Sequence, residues 1–288
     1  MTDSPNPTDG LMSGTALAAS ILADAAERSA ELERRTGVRP CLVAVLVGAD
    51  PASVTYVRMK RRRSAKAGLE SRVVELPDDT TTEQLVEELE SISADPSVHG
   101  ILLQHPVPSQ IDERAAFEAI DPAKDVDGVT MRSFGAMSFG EPGFDSCTPG
   151  GILRLLEHYD VPLQGARAVV VGRSAILGKP VGMLLLERHA TVTYCHSRTV
   201  DLPGIVAQAD VVVAAVGRPS FIRGEWIKPG AVVVDAGYNE GNVGDVDFEG
   251  AHQRASLITP VPGGVGPMTI AVLIEQTVTA AYRLTGQE

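Results

Sequence analysis

Cysteine is scarce in this chain: Cys41, Cys147 and Cys195 are the only three in 288 residues, and they lie far apart. An odd, scattered set offers neither an even disulfide framework nor the paired spacing of a structural metal site, so reduced thiols are expected. Long apolar runs are absent too. None approaches the roughly 20 residues that cross a bilayer, which excludes a membrane-spanning helix. The opening segment MTDSPNPTDG is polar, acidic and proline-containing and has no apolar core, so it does not read as a signal peptide. Residues 1–10 are expected to be a disordered lead-in to a cytoplasmic protein. Internal repeats and low-complexity tracts are missing. Base is in deficit, with 25 Lys and Arg against 37 Asp and Glu, a formal net charge of −12. That balance argues against a general nucleic-acid binder, whose footprint is usually net basic. What remains, 44% hydrophobic and 22% charged residues, is the composition of an ordinary globular protein long enough for two domains.

Against that acidic background one stretch stands out. TYVRMKRRRSAKAG, residues 55–68, holds Arg58, Lys60, Arg61, Arg62, Arg63 and Lys66 and no acid. Two kinds of partner fit such a segment, a nucleic acid or a small anionic substrate.

Helix-like and strand-like pieces alternate along most of the chain. Residues 13–36 carry Leu17, Ile21 and Ala25 in four-residue steps and end at Gly37, an amphipathic helix. CLVAVLVG (41–48) has strand length; the basic segment 52–67 is expected to be helical, SRVVEL extended, TTEQLVEELESI helical, HGILLQ (99–104) extended and DERAAFEAI (112–120) helical. Apolar strands alternating with helices predict a mostly parallel sheet covered by helices. Residues 121–147, including SFGAMSFGEPGFDS, are expected to be loop, with a domain boundary near their end. TPGGILRLLEHY then starts a helix with Thr148 as N-cap and Pro149 at its first position. ARAVVVG, ATVTYC, DVVVAAVG and AVVVDAG are four strand-like runs at the spacing of a Rossmann-type dinucleotide domain. The expected division is 11–147 as one domain, 148–266 as the dinucleotide domain, and a last helix over 267–284 that returns to the first.

VVVGRSAILGKPVG leaves a strand and opens a helix, the place for a phosphate-binding turn. It lacks the G-x-G-x-x-G pattern, since Gly172 and Gly178 are six apart, and it is no P-loop. An NAD site would place Asp or Glu at the end of the next strand. Here stand His196, Ser197 and Arg198, with no acid. Arg173 and Arg198 can face a 2′-phosphate, with Ser174 and Ser197 donating to it, so NADP is expected over NAD. Val216, Gly217 and Tyr238 end later strands and are candidate neighbours of the nicotinamide half. Each of these glycines is also compatible with an ordinary turn.

Tyr56 and Lys60 are one helical turn apart on a common face. A buried lysine beside a tyrosine can act as a proton carrier, though a surface lysine is the commoner case. Gln104 ends a buried-looking strand just before HPVP, a stiff exit that suits an amide bonding a heterocycle or Lys60. Asp125 and Asp127 alternate in KDVDGV, where a turn at Asp127-Gly128 is an equally good explanation. They are too few oxygen ligands for a metal. TPVPGGVGPMT (259–269) brings Gly263, Gly264 and Gly266 to a loop ahead of a helix, where backbone can approach a ligand closely.

The set YVRMK, GILLQHPVP, DVDGV, TPGGI, VVGRSAILGKP, DAGYN and TPVPGGVGPMT, in this order over residues 11–284, resembles the bifunctional methylenetetrahydrofolate dehydrogenase/methenyltetrahydrofolate cyclohydrolase family. The resemblance implies a two-domain α/β fold, usually a homodimer, with the active site in the cleft between domains and no metal. It implies oxidation of 5,10-methylenetetrahydrofolate by NADP, then hydrolysis of the methenyl product to 10-formyltetrahydrofolate, in one-carbon metabolism. By the same resemblance Lys60 manages the proton and Gln104 tunes it. Tyr56 stacks on the pterin, and Asp127 binds its aminopyrimidine edge. Gly172, Arg173, Ser174, Ser197 and Tyr238 touch the cofactor, and Pro262, Gly263 and Gly264 border the folate. Arg61, Arg62 and Arg63 are left as surface contacts or contacts to a glutamate tail. Three positions depart from the family pattern: His105 for leucine, Ala175 for asparagine and Tyr238 for isoleucine. Two rival readings remain, an NADP-dependent dehydrogenase of another small polar molecule, and a non-catalytic polyanion-binding module using residues 58–66.

Overall fold

The computed structural model describes residues 10–48 and 51–287, and for 51–56 the backbone alone. Residues Thr15–Thr36 form α1, in which Ala18, Ala25, Ser29 and Leu32 are buried at helical spacing as one stripe. CLVAVLV, a run with no polar side chain, forms β1 (Cys41–Val47), every residue of it buried. Strands buried on both faces read this way when helices cover both sides. α2 (Pro51–Lys66) leads to β2 (Glu70–Leu76), and α3 (Thr82–Ala94) leads to β3 (Gly100–Leu103). The sheet order is β2-β1-β3, all parallel, so each connection needs its helical crossover. α3 starts in a capping box: the Thr81 hydroxyl accepts from Gln84 N–H, and the Gln84 side chain accepts from Thr81 N–H.

Two helices follow β3. α4 (Glu113–Glu118) is capped by Asp112, and α5 (Met131–Phe139) by Thr130. α5 corrects the expectation of loop over 121–147. Thr130 caps its start, and Gly140, at φ 68°, ends it in the left-handed region. Its glycine and serine weaken helix propensity, which burial of Ser133 and Met137 overrides.

His99, buried at the entry to β3, accepts the Cys41 N–H at Nδ1 (3.1 Å). An accepting Nδ1 requires the neutral ring. Burial, then the charge of Lys124, holds its pKa below the ordinary 6.5. The neutral ring therefore contributes stability that is present above the ordinary pKa and is lost as pH falls through the depressed folded value. His99→Asn keeps an acceptor at that position without a titrating proton. Its Tm is expected to fall less steeply than wild type between about pH 7 and about pH 5. Equal slopes would clear the imidazole of this role.

The second sheet is built from α6 (Cys147–His158), β4 (Arg167–Val171), α7 (Gly178–Glu187), β5 (Thr191–Cys195), α8 (Leu202–Val206), β6 (Val211–Ala214), β7 (Val232–Asp235), α9 (Phe248–His252) and β8 (Leu257–Ile258), before α10 (Val265–Leu284). Its order is β5-β4-β6-β7-β8, all parallel. β6 and β7 are wholly buried, and β5 at the edge alternates. Val169, Val171, Val212, Val233 and Ile258 share one core cluster. The α/β fold expected from the alternation is present, with β8 as a fifth strand too short to announce itself. α6 starts two residues earlier than expected, at Cys147 with Ser146 as N-cap. Thr148 lies in its first turn, and its hydroxyl pairs with Thr269 instead (3.0 Å). Pro149 still falls where a missing N–H costs no helical bond.

The chain divides into two compact units. One comprises Ala19–Asp145 and the stretch from Ile270 onward; the other comprises Ser146–Thr269 and the segment ending at Ala18. The expected grouping of 11–147 differs for Leu11–Ala18, because Met12 N–H donates to Ile258 O (2.8 Å) and Gly14 N–H to Gly263 O (2.9 Å). In the first unit, Ile270, Ile274 and Val278 of α10 pack with Ala25 and Leu32 of α1, as expected for the returning helix. No helix among the described residues is long and apolar enough to cross a membrane.

Candidate active site

α2 is cationic, yet its charges are not alike. Arg58, Arg61, Arg62 and Lys66 are exposed, whereas Lys60 retains 6% exposure. Long charged side chains rarely bury without a partner. Lys60 Nζ lies 3.3 Å from Gln104 Oε1, and Gln104 is itself buried. The amide orientation follows from its other end, where Nε2 donates to His105 O (2.8 Å). Gln104 N–H continues the β3 ladder to Val45 O (2.9 Å), so the strand register holds the amide in place. Thus the structure brings together Lys60 and Gln104, 44 residues apart. Tyr56 belongs to α2, but its side chain lies outside the described residues. His105 is half-buried and packs edge-on against Phe117, ring centroids 6.2 Å apart.

The two aspartates of KDVDGV differ in burial and in hydrogen bonding. Asp125 is fully buried and accepts from Val129 N–H (3.0 Å), Thr130 N–H (2.9 Å) and Ser133 Oγ (2.6 Å). Burial pushes its carboxyl up from the ordinary value, against those hydrogen bonds, which pull it down. Asp125 therefore shapes the turn into α5. Asp127 is half-buried and its carboxylate has no protein partner among the described residues, so it is available to a ligand. The sequence left turn and site as alternatives at Asp127-Gly128; the structure has a turn there, Gly128 N–H donating to Asp125 O (3.1 Å), with the Asp127 carboxylate left out of it.

The cofactor candidates all follow strands of the second sheet at their C-terminal ends. In an open parallel sheet ligands bind there, at the point where neighbouring connections leave in opposite directions. With order β5-β4-β6, that point is between the exits of β4 and β6. Gly172 ends β4 at φ 139°, and a Cβ there would strike Ala215 O. A Cβ on Gly178 would strike the Gly172 backbone, and one on Gly182 the ring of Tyr194. Gly178 brings α7 hard against the β4 exit and Gly182 brings it against β5, while Gly172 lets the β4 exit approach Ala215 after β6, the close approach that a dinucleotide turn needs without the G-x-G-x-x-G spacing. Ser174 Oγ accepts from Leu177 N–H and Gly178 N–H, both 3.2 Å, which leaves its proton as a donor. The side chains of Arg173 and Arg198 are exposed and have no protein partner among the described residues. Ser197 is exposed in a turn closed by His196 N–H to Thr199 Oγ1 (2.8 Å). Gly217 is exposed after β6, and Tyr238, 72% exposed after β7, donates to Asn242 Oδ1 (2.6 Å). These residues fit a phosphorylated dinucleotide: a cradle no side chain can occupy and two unpaired guanidinium groups.

Pro262, Gly263 and Gly264 belong to the unit of the second sheet, after β8. Gly263 O accepts from Gly14 N–H, and Gly264 N–H donates to Pro260 O (2.8 Å). Sequence reasoning passed over two further carboxylates. Asp235 at the end of β7 and Asp245 ten residues on are both buried. Burial, foremost, pushes the Asp235 carboxyl up to about 6, with Asp245 adding to the rise and three backbone N–H groups opposing it. The available signal was Gly237 and Gly244, each too close to one of these carboxylates to carry a Cβ.

A parallel α/β unit with this turn, in a chain that also holds a buried lysine–glutamine pair, defines a dinucleotide-dependent enzyme. Residues 12–127 match the tetrahydrofolate dehydrogenase/cyclohydrolase catalytic domain and residues 146–285 the NAD(P)-binding domain of the same name. The chain belongs to the tetrahydrofolate dehydrogenase/cyclohydrolase family. It is 70% identical over 283 residues to the bifunctional protein FolD 1 of Streptomyces avermitilis, covering 98% of this chain and 99% of that protein. FolD of Shouchella clausii is 61% identical over 254 residues, 88% of this chain and 91% of that protein. The FolD structure from Campylobacter jejuni gives a TM-score of 0.92 at 41% identity, covering 95% of this chain and 98% of that one. The Trypanosoma brucei enzyme, complexed with NADP cofactor and inhibitor, gives 0.90 at 40% identity, with 94% and 96% covered.

Proposed function

We propose that Lys60 is the proton carrier for hydrolysis in this bifunctional enzyme and that Gln104 holds its amine in place. The enzyme oxidises 5,10-methylenetetrahydrofolate to the 5,10-methenyl form and hydrolyses that to 10-formyltetrahydrofolate, in one-carbon metabolism. NADP, when bound, accepts the hydride from the methylene carbon. That step asks the chain for no nucleophile, only for positioning of two rings. Arg173 and Arg198 are assigned to the 2′-phosphate, with Ser174 and Ser197 as donors, and Gly172 to the pyrophosphate turn. Gly217 and Tyr238 are assigned to the nicotinamide half. Hydrolysis does need a proton manager, because the attacking water gives up both protons as its oxygen becomes the formyl carbonyl, one ending on the ring nitrogen released on opening and the other in solvent. An amine at Lys60 takes a proton from the water and delivers one to that nitrogen. The observation that carries this assignment is the buried contact between Lys60 Nζ and Gln104 Oε1.

Asp127, with its unpartnered carboxylate, is assigned to the paired N–H donors of the aminopyrimidine edge, and Tyr56 to stacking on the pterin. Pro262, Gly263 and Gly264 are assigned to the folate border. Homodimeric assembly, γ-glutamyl-extended substrates and a cytoplasmic setting rest on the family resemblance. Purified protein with NADP⁺ and methylenetetrahydrofolate is expected to accumulate reduced cofactor and, transiently, the methenyl product, both followed by absorbance. No signal at any pH near neutral would refute the dehydrogenase activity. Salt-sensitive polyanion binding without turnover would favour the rival built on residues 58–66.

A further inference from the structure

We infer that Asp245 is a positioning residue for the dinucleotide, its carboxylate moulding the exit of β6 into the shape the nicotinamide half meets. This rests on the reading above that the ends of β4 and β6 hold the cofactor. Asp245 is completely buried, yet no lysine or arginine among the described residues pairs with it. Its charge is met by four N–H donors. Oδ2 accepts from Val216 N–H (2.6 Å) and Gly217 N–H (2.8 Å). Oδ1 accepts from Arg218 N–H (2.9 Å) and Asn239 Nδ2 (3.0 Å). Three consecutive backbone N–H groups converging on one anion form a nest, a geometry that elsewhere binds phosphate or carboxylate ligands. Here the chain fills the nest itself.

That has a chemical consequence for the turn. With its donors committed to Asp245, residues 216–218 have only carbonyl oxygens left as backbone hydrogen-bonding groups. The carbonyls of Val216 and Gly217 accept nothing among the described residues. The turn therefore presents acceptors alone, which suits the N–H groups of a carboxamide and repels a phosphate. Asn239 ties the segment after β7 to the same carboxylate, and also donates to Val243 O (3.1 Å). One side chain thus sets two neighbouring strand exits.

Asp235 fixes Asp245 in turn. Its Oδ1 accepts from Asp245 N–H and its Oδ2 from Val246 N–H, both 2.9 Å. A Cβ on Gly237 would land on the Asp245 carboxylate and one on Gly244 on that of Asp235, so neither carboxylate has room to shift. A residue needed only to fill space would not require two oxygens facing four donors.

Asp245→Asn keeps the volume but offers one acceptor oxygen where donors approach both, and it points an NH2 group at an N–H. Its Kd for NADP⁺, from direct titration, is expected to rise about tenfold or more. Hydrolysis of supplied methenyltetrahydrofolate without dinucleotide is expected to fall far less. An NADP⁺ Kd within about twofold of wild type, or parallel loss of both properties, would overturn the positioning role. Should that variant fail to fold, Asn239→Ala removes a single donor from the carboxylate. Its NADP⁺ Kd is expected to rise about threefold, and an unchanged value would equally overturn the inference. NADP⁺ titration of the wild type, followed through the amide resonances of Val216 and Gly217, separates the two layers. Shifts there with an unaffected Asp245→Asn variant dismiss Asp245 alone. No shift on saturation dismisses the cofactor placement, and Asp245's role with it.

Discussion

Lys60→Met is expected to slow hydrolysis of supplied methenyltetrahydrofolate by about 10²- to 10⁴-fold, the usual contribution of a positioned acid–base group. Methionine has nearly the length of lysine and carries no proton. It fills the same space beneath α2, so cavity effects, which would follow truncation to alanine, are small. Ser64, one turn on, donates its hydroxyl to Lys60 O (3.0 Å), a bond the substitution leaves intact. Gln104 would retain its link to His105 O but face an apolar terminus in place of an ammonium or amine. NADP⁺ affinity is expected to stay within about threefold, since every residue assigned to the dinucleotide belongs to the other unit. Equal losses of hydrolysis and of NADP⁺ binding would point to misfolding. Undiminished hydrolysis would remove Lys60 from the mechanism.

Arg173→Ala is the second large effect, and it is one of selectivity. A guanidinium on a phosphate makes charge-assisted hydrogen bonds worth about 1.5–3 kcal/mol. The Arg173 side chain is exposed, which screens the interaction toward the lower part of that range. The KM for NADP⁺ is expected to rise about tenfold, with little change in the KM for NAD⁺, which lacks the 2′-phosphate. Arg198, also exposed, is assigned to the same phosphate, so the double variant should lose more than either single one. If both KM values rise together, the 2′-phosphate is held elsewhere.

Parts of this site were legible before any coordinates. Alternation of short apolar runs with amphipathic segments predicts a parallel sheet under helices. β1 and α1 therefore appear where the pattern puts them. The absence of an acid after β5 reads directly as a preference, because charge repulsion needs no fold to interpret. α5 was misread because SFGAMSFG carries residues common in loops, and its caps are visible only once Asp125 has turned the chain into Thr130. β8 has two residues, too few for any periodicity, and exists through its pairing with β7 and with Leu11.

The sequence by itself determined the fold class, the family and the want of an acid at the ribose position. All of these are carried by local pattern or by residue type. Only the tertiary structure decided which cation of α2 is buried, which aspartate of KDVDGV serves the turn, and that Asp245 closes the β6 exit. Lys60 meets Gln104 across 44 positions and Asp245 meets Val216 across 29, separations beyond any local pattern; Asp125 has its partners four to eight residues on, but only the folded chain shows which aspartate turns inward to them.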